Sequence, residues 1–445
     1  MSEGSPATLF GLDPLLLSTG LLVAIYAAII LDRVNRAIVA LLGAGLMIGL
    51  GVIDQRQAIA GIDFNTLALL VGMMLLVALA RRSGMFQYLA ILAAKLARGH
   101  PAAIMALLAI VTAVVSALLD NVPTVLLIAP VTLLIAQELK IAPYPFLFVE
   151  IFASNIGGTA TLIGDPPNII IGSAANLTFN DFVLNLGPVV VLVLAVQIAL
   201  GHWVWGRAMR VAPEERARVL AFDPRQAITD PRLLRQSLVV LGLVIVAFVL
   251  ARWLRLEPGT IAMAGAALLL LLDNWPRGAE AQSHAVHAAF GEVEWVTIFF
   301  FVGLFVVVAG VEQAGLLRLF ADRLAAWTGG DLAATALVVL WGSAVLSAII
   351  DNIPFVATMI PVIKGMAPAL GGPDHLLPLW WSLSLGACLG GNGTLIGASA
   401  NLTVAGIAER AGVPFRFVTF LRHSVPMTLV SIVICTGYVW LRYLG

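Results

Sequence analysis

Four carboxylates stand inside otherwise apolar runs of this chain: Asp120, Glu150, Asp165 and Asp351. Placing one at the centre of a membrane helix costs about 2.5–3.5 kcal/mol or more, so each reads first as a functional group. The chemistry open to them is proton exchange or the binding of a small cation. Each also has a structural reading. Asp120 and Asp351 precede Asn121 and Asn352 in the motifs Asp-Asn-Val-Pro and Asp-Asn-Ile-Pro, where Asp or Asn caps the next helix. A cap that faces water can still hold a proton or a cation. Asp165 precedes Pro166 and Pro167 and reads equally as a turn residue. Glu150 is either a proton carrier or the partner of a nearby donor.

Neutral polar groups cluster near these acids. Gly157, Gly158, Gly391 and Gly393 leave backbone N–H and C=O groups open to a ligand. Thr124, Asn155, Thr159, Thr161, Asn168, Asn392, Thr394 and Asn401 add hydroxyl and amide groups. Carbonyls at half-helix C-termini suit Na⁺, and half-helix N-termini suit an anion or an oxygen-rich neutral solute. No Arg or Lys lies in either glycine-rich stretch, which favours a small neutral or cationic solute. Cys388 lies two residues before Gly390, which invites a thiophilic-metalloid reading, but a free cysteine is more often a small apolar core residue. His284 and His287 fall in a polar stretch read as a solvated loop, without a third metal ligand. No nucleophile–base set, metal motif or cofactor motif is present.

The element that positions these groups is Ser154 to Asn168. Its glycines weaken a helix, and Pro166 and Pro167 stop one. Apolar runs at Pro145–Ala153 and Ile169–Ala175 flank it, each too short to span a bilayer alone. Unwound backbone at membrane depth is tolerated where protein buries it or a wet cavity receives it. The expected element is therefore a broken helix of the kind that builds midplane transport sites.

Composition sets the class. The 445 residues are 60% hydrophobic and 11% charged with zero net charge, and mean hydropathy is +1.01. Soluble domains carry about 25% charge. The expected fold is an all-α polytopic membrane protein in the lipid bilayer, and no nucleic-acid partner is suggested. No cleaved signal peptide is expected. Spans are expected at 15–31, 37–53, 65–80 and 182–205. After a basic linker at 206–235, further spans are expected at 236–253, 259–273, 295–311 and 421–441. Shorter amphipathic segments lie at 85–98 and 314–327. The apolar runs broken at Asp120 and Asp351 read as re-entrant hairpins, with paired full spans as the alternative. The count is about ten spans plus two hairpins and two broken helices.

The two halves repeat. Ser116-Ala117-x-x-Asp120-Asn121-x-Pro123 returns 231 positions later as Ser347-Ala348-x-x-Asp351-Asn352-x-Pro354. Thr66 and Thr297, Gly72 and Gly303, Gly84 and Gly315 keep that offset. Gly158, Thr161 to Gly164 and Asn168 return 233 positions later as Gly391, Thr394 to Gly397 and Asn401. Residues 1–205 and 236–445 are thus expected as repeats joined by the linker. An odd number of crossings per half makes them inverted. With the linker cytoplasmic, 18 of 25 basic residues fall on that side, which places both termini outside.

On these motifs the chain resembles the ion transporter superfamily, in particular its arsenite permease and NhaD-type branch. The residues concerned are the two Asp-Asn-x-Pro tips, Gly157 to Asn168, and Gly391 to Asn401. The resemblance implies a scaffold domain, a transport domain of hairpins and broken helices, elevator-type alternating access and, in many members, a homodimer. It implies an inner-membrane secondary transporter rather than an enzyme. The leading expectation is proton-coupled efflux of arsenite and antimonite. The small inorganic solute would be held by Asn121, Thr159, Thr161, Asn352, Asn392 and Thr394, and Asp120, Asp165 and Asp351 would exchange H⁺. The alternative is Na⁺/H⁺ antiport on the same scaffold, with a passive channel behind it. No nucleotide-binding motif is present, so any ATP drive needs a separate ATPase subunit.

Overall fold

The computed structural model describes residues 8, 11–31, 33–275 and 277–445, and among them the regular elements are all helical. The first half runs α1 (Pro14–Leu31), α2 (Arg36–Gly49), α3 (Gln55–Ala60), α4 (Phe64–Arg82), α5 (Met85–Leu96) and α6 (Pro101–Leu119). It continues with α7 (Asn121–Glu138), α8 (Tyr144–Thr159), α9 (Pro166–Ala175) and α10 (Phe179–Gly201). A short α11 (Pro213–Ala221) lies in the linker. The second half runs α12 (Pro231–Leu254), α13 (Pro258–Asn274), α14 (Ala279–Gly291), α15 (Trp295–Gln313) and α16 (Leu316–Trp327). It ends with α17 (Leu332–Ile349), α18 (Asn352–Gly365), α19 (Leu377–Gly390), α20 (Ser399–Arg410) and α21 (Phe417–Val439). Among the described residues, nine helices are long and apolar enough to cross a bilayer. The protein is thus an all-α polytopic membrane protein.

Equivalent positions make equivalent crossings. A Cβ on Gly72 of α4 would stand 2.6 Å from the backbone of Ala262 in α13. A Cβ on Gly303 of α15 would stand 2.5 Å from the backbone of Ala40 in α2. The same holds at the broken helices, where a Cβ on Gly157 of α8 would stand 2.1 Å from Ala113 O of α6 and a Cβ on Gly390 of α19 would stand 2.5 Å from Ala344 Cα of α17. Only a residue without a side chain lets two backbones approach so closely.

Two stretches are more ordered than the sequence reading allowed. His284 and His287 lie on α14, a helix and not a loop. Ala and Gln separate them from the preceding breaker Gly278, and this local helix propensity outweighs the polar composition. The linker also forms structure. Arg218 donates to Glu138 O at 2.9 Å, and Thr229 N–H donates to Ser83 O at 3.1 Å. Thr229 fastens the linker across the end of α4 and Arg218 across the end of α7.

Candidate functional site

The first break is shorter than the expected Ser154–Asn168, because close packing on α6 lets the helix run on through Gly157 and Gly158. α8 ends at Thr159 and α9 starts at Pro166. α19 ends at Gly390, and α20 starts at Ser399 after a short turn over Gly391–Gly393. Each break folds onto itself. Gly158 and Gly164 lie so close that a Cβ on Gly158 would meet Gly164 O at 2.5 Å, and a Cβ on Gly391 would meet Gly397 O at 2.8 Å. The glycines of the breaks therefore serve backbone packing.

The side chains of the breaks are also mostly committed. Thr161 donates to Ala117 O and Thr394 to Ala348 O, each tying a break to the hairpin beside it. Thr159 donates to Asn155 O at 2.7 Å, and Thr124 to Asp120 O at 2.7 Å. Asn168 Nδ2 donates to Thr161 O at 2.9 Å and Thr159 O at 3.1 Å. Its twin Asn401 donates to Gly391 O and Thr394 O, both at 2.8 Å. These amides replace the hydrogen bonds that the unwound backbone forgoes.

Asn155, near the C-terminal end of α8, bonds across the halves. Asn155 Nδ2 donates to Asn392 Oδ1 at 2.8 Å and to Asn401 Oδ1 at 2.9 Å. Its Oδ1 accepts from Asn121 Nδ2 at 3.2 Å. Cys388 occupies the twin position in α19. With Ser384 it faces Asn168 Oδ1, at 3.7 Å and 2.6 Å respectively.

The hairpin tips meet beside this knot and enclose a cavity of about 210 Å³. Asp120 and Asn121 of the first tip, Asn352 of the second, and Asp165 of the first break line it. Asp165 is 1% exposed and Asp120 9%. Asp120 Oδ1 and Asp165 Oδ2 have no hydrogen-bond partner. Asp165 Oδ1 accepts from Asn352 Nδ2 at 3.4 Å. Asp165 starts α9 without a side-chain cap bond, so the N-terminal field of that helix offsets part of its charge. Asp120 has φ of +99°, a conformation strained for a residue with a Cβ.

The twin tip is built differently. Asp351 has φ of −45° and caps its helix through Ile353 N at 3.1 Å. Its other oxygen takes Arg36 Nη1 at 2.9 Å and Ser399 Oγ at 3.1 Å. Glu150 lies outside the cavity, buried on α8, and accepts a bond from Thr132.

Arg36, Glu294, Thr297, Ser399 and Thr403 also line the cavity, and sequence reasoning missed them as site residues. Arg36 counts in the sequence only as one of the basic residues on the cytoplasmic side, and Glu294 stands immediately before α15. Glu294 had a signal: it lies 231 positions after Asp63, and each bonds the Thr three residues on, Thr66 and Thr297. Arg36 had none. Its reach depends on the tertiary placement of α2 beside α20.

Comparisons with known proteins follow the same lines. Residues 26–386 match the family described as "Citrate transporter". An uncharacterized transporter of Mycobacterium tuberculosis is 47% identical over 425 residues, covering 95% of this chain and 97% of the relative. The P protein of Homo sapiens is 36% identical over 498 aligned residues, covering 93% of this chain and 58% of that longer protein. The structure of the YdaH transporter from Alcanivorax borkumensis superposes with a TM-score of 0.64, covering 97% of this chain and 99% of that one. At 15% identity, that likeness concerns the fold.

Proposed function

Since this chain belongs to the citrate transporter family, part of the superfamily its motifs resemble, we propose that it is a proton-coupled secondary transporter whose exchangeable charge rests on Asp120 and Asp165. The observation that carries this reading is the pair of buried carboxylates, each with one unpartnered oxygen, facing one small cavity. An unpaired buried carboxylate is costly unless a proton or cation shares it. A smaller cleft of about 70 Å³ shares Met74, Asp120 and Glu294 with the cavity and reaches the exposed Arg81–Glu292 pair. It supplies a route by which H⁺ or solute reaches Asp120.

The charge of the cavity selects the solute. Asp120, Asp165 and Glu294 face it, while Arg36, the one cation among its described lining residues, is already paired with Asp351. A polyanion such as citrate would meet a net negative wall. A small neutral solute suits the site better, and we take arsenite, as uncharged arsenous acid, to be the solute exported, with antimonite behind it. Transport would proceed by elevator-type alternation of the hairpins and breaks against α2, α4, α13 and α15. The arginine bias supports an inner-membrane setting with both termini on the non-cytoplasmic side.

Na⁺/H⁺ antiport is the second reading. It is favoured by the hard oxygen donors of Asp120, Asp165, Asn121 and Asn352 on one cavity, a set that suits Na⁺ as cargo. Purified protein in liposomes carrying a lumenal pH dye separates the two. Proton movement on adding arsenite, with none on adding Na⁺, supports the metalloid carrier. The reverse response makes it a sodium/proton antiporter, and no response to either refutes both readings.

A further inference from the structure

The two tip aspartates are related by the repeat, yet only one of them is loaded by the protein itself. Both Asp351 oxygens are occupied. Oδ1 accepts from Ile353 N at 3.1 Å, and Oδ2 accepts from Arg36 Nη1 at 2.9 Å and Ser399 Oγ at 3.1 Å. Arg36 is itself held in place. Its Nη1 also reaches Ser399 Oγ at 3.0 Å, its Nη2 lies 3.5 Å from Thr297 Oγ1, and its guanidinium sits 5.2 Å above the Phe300 ring. Helix α1 adds Tyr26, whose hydroxyl donates to Pro354 O at 2.8 Å. The first half has no counterpart. Ala40 and Ala262 mark equivalent crossings on α2 and α13, and the same spacing puts Pro258 where Arg36 stands.

We propose that Arg36 is the specificity-determining residue of the cavity, a resident counter-cation that reserves Asp351 and leaves Asp120 and Asp165 as the carboxylates an incoming proton or cation can load. This rests on the reading of the cavity as the transport site. Asp351 stands just behind the cavity wall, bonded to Arg36 of α2 and Ser399 of α20, and these two line the cavity together with Glu294 and Thr297 of α15, Thr403 of α20, Asp120 and Asp165. Arg36 is the sole cation in that set. Its removal would leave Asp120, Asp165 and Glu294 around the cavity with the unpaired Asp351 directly behind Ser399, and Asp351 would then have to take up a proton or external cation. Arg36 thereby fixes how many charges the site exchanges, a number the repeat alone would set one higher.

The proton itself is the probe. Infrared difference spectra of the purified full chain in lipid, recorded on acidification, report newly protonated carboxyls through their C=O stretch. Asp351→Asn is expected to leave the band unchanged, while Asp120→Asn and Asp165→Asn each remove part of it. Arg36→Gln is expected to add intensity of about one carboxyl, which Arg36→Gln/Asp351→Asn removes again. Arg36→Lys keeps the charge and is expected to add none. Loss of intensity in Asp351→Asn, or no gain in Arg36→Gln, overturns the proposal. If Arg36→Gln does not fold, the Asp351→Asn and Arg36→Lys spectra still decide it. If instead Asp120→Asn and Asp165→Asn change nothing, the proton-coupled reading fails, and the silence of Asp351 remains a separate result.

Discussion

Asn155→Ala tests the junction between the two halves. The substitution strands three buried groups at once: Asn121 Nδ2, Asn392 Oδ1 and Asn401 Oδ1. All three residues are 3% exposed or less, so bulk water does not replace the lost partner. Polar contacts inside membrane proteins average about 0.6 kcal/mol each, which sets a floor of about 2 kcal/mol. Counting each stranded group at about 1–2 kcal/mol raises the cost to about 3–6 kcal/mol. Alanine returns about 0.6 kcal/mol through its better helix propensity. The expected net loss is about 1–5 kcal/mol, read from reversible unfolding in mixed micelles titrated with a denaturing detergent. Gly342→Ala is the control, since a Cβ there meets nothing within 4 Å. A loss of less than about 0.5 kcal/mol for Asn155→Ala would refute the view that this amide pins the breaks together.

Three further outcomes are expected. Gly157→Ala and Gly390→Ala each drive a Cβ into backbone, so each should cost about 1–3 kcal/mol or more and lower the apparent Tm, while Gly342→Ala should not. Glu150→Gln keeps a partner for Thr132 and lies outside the cavity, so liposomes holding it should move protons with solute as the wild type does; loss of coupling would make Glu150 a carrier. Gly84→Ala combines φ of +80° with a Cβ only 1.8 Å from Ala227 O, so it should lift the linker off α5 and speed trypsin cleavage at its arginines several-fold; an unchanged cleavage rate would contradict the packing.

Much of this architecture is legible in the residues. Pro166 and Pro167 set where the chain restarts as α9, while α8 carries on through Gly157 and Gly158 to Thr159. The recurrence of Asp-Asn-x-Pro announced two tips, and the structure gives them matching serine bonds, Ser116 to Ser154 O at 2.7 Å and Ser347 to Ala387 O at 2.6 Å. The difference between the tips was not legible. It comes from Arg36, which lies more than three hundred positions before Asp351 and is delivered by helix packing. The fate of the threonines was hidden for a similar reason. A hydroxyl near a break can face a cavity or a carbonyl, and only the approach of the neighbouring hairpin decides which.

The central claim is that Asp120 and Asp165 carry the coupled charge. Its most direct test is the lumenal pH response of liposomes holding wild type, Asp120→Asn or Asp165→Asn, challenged with arsenite under a proton gradient. The account expects a response in the wild type and its loss in both variants, with protein that still folds and inserts. A full proton-coupled response in either variant would contradict it.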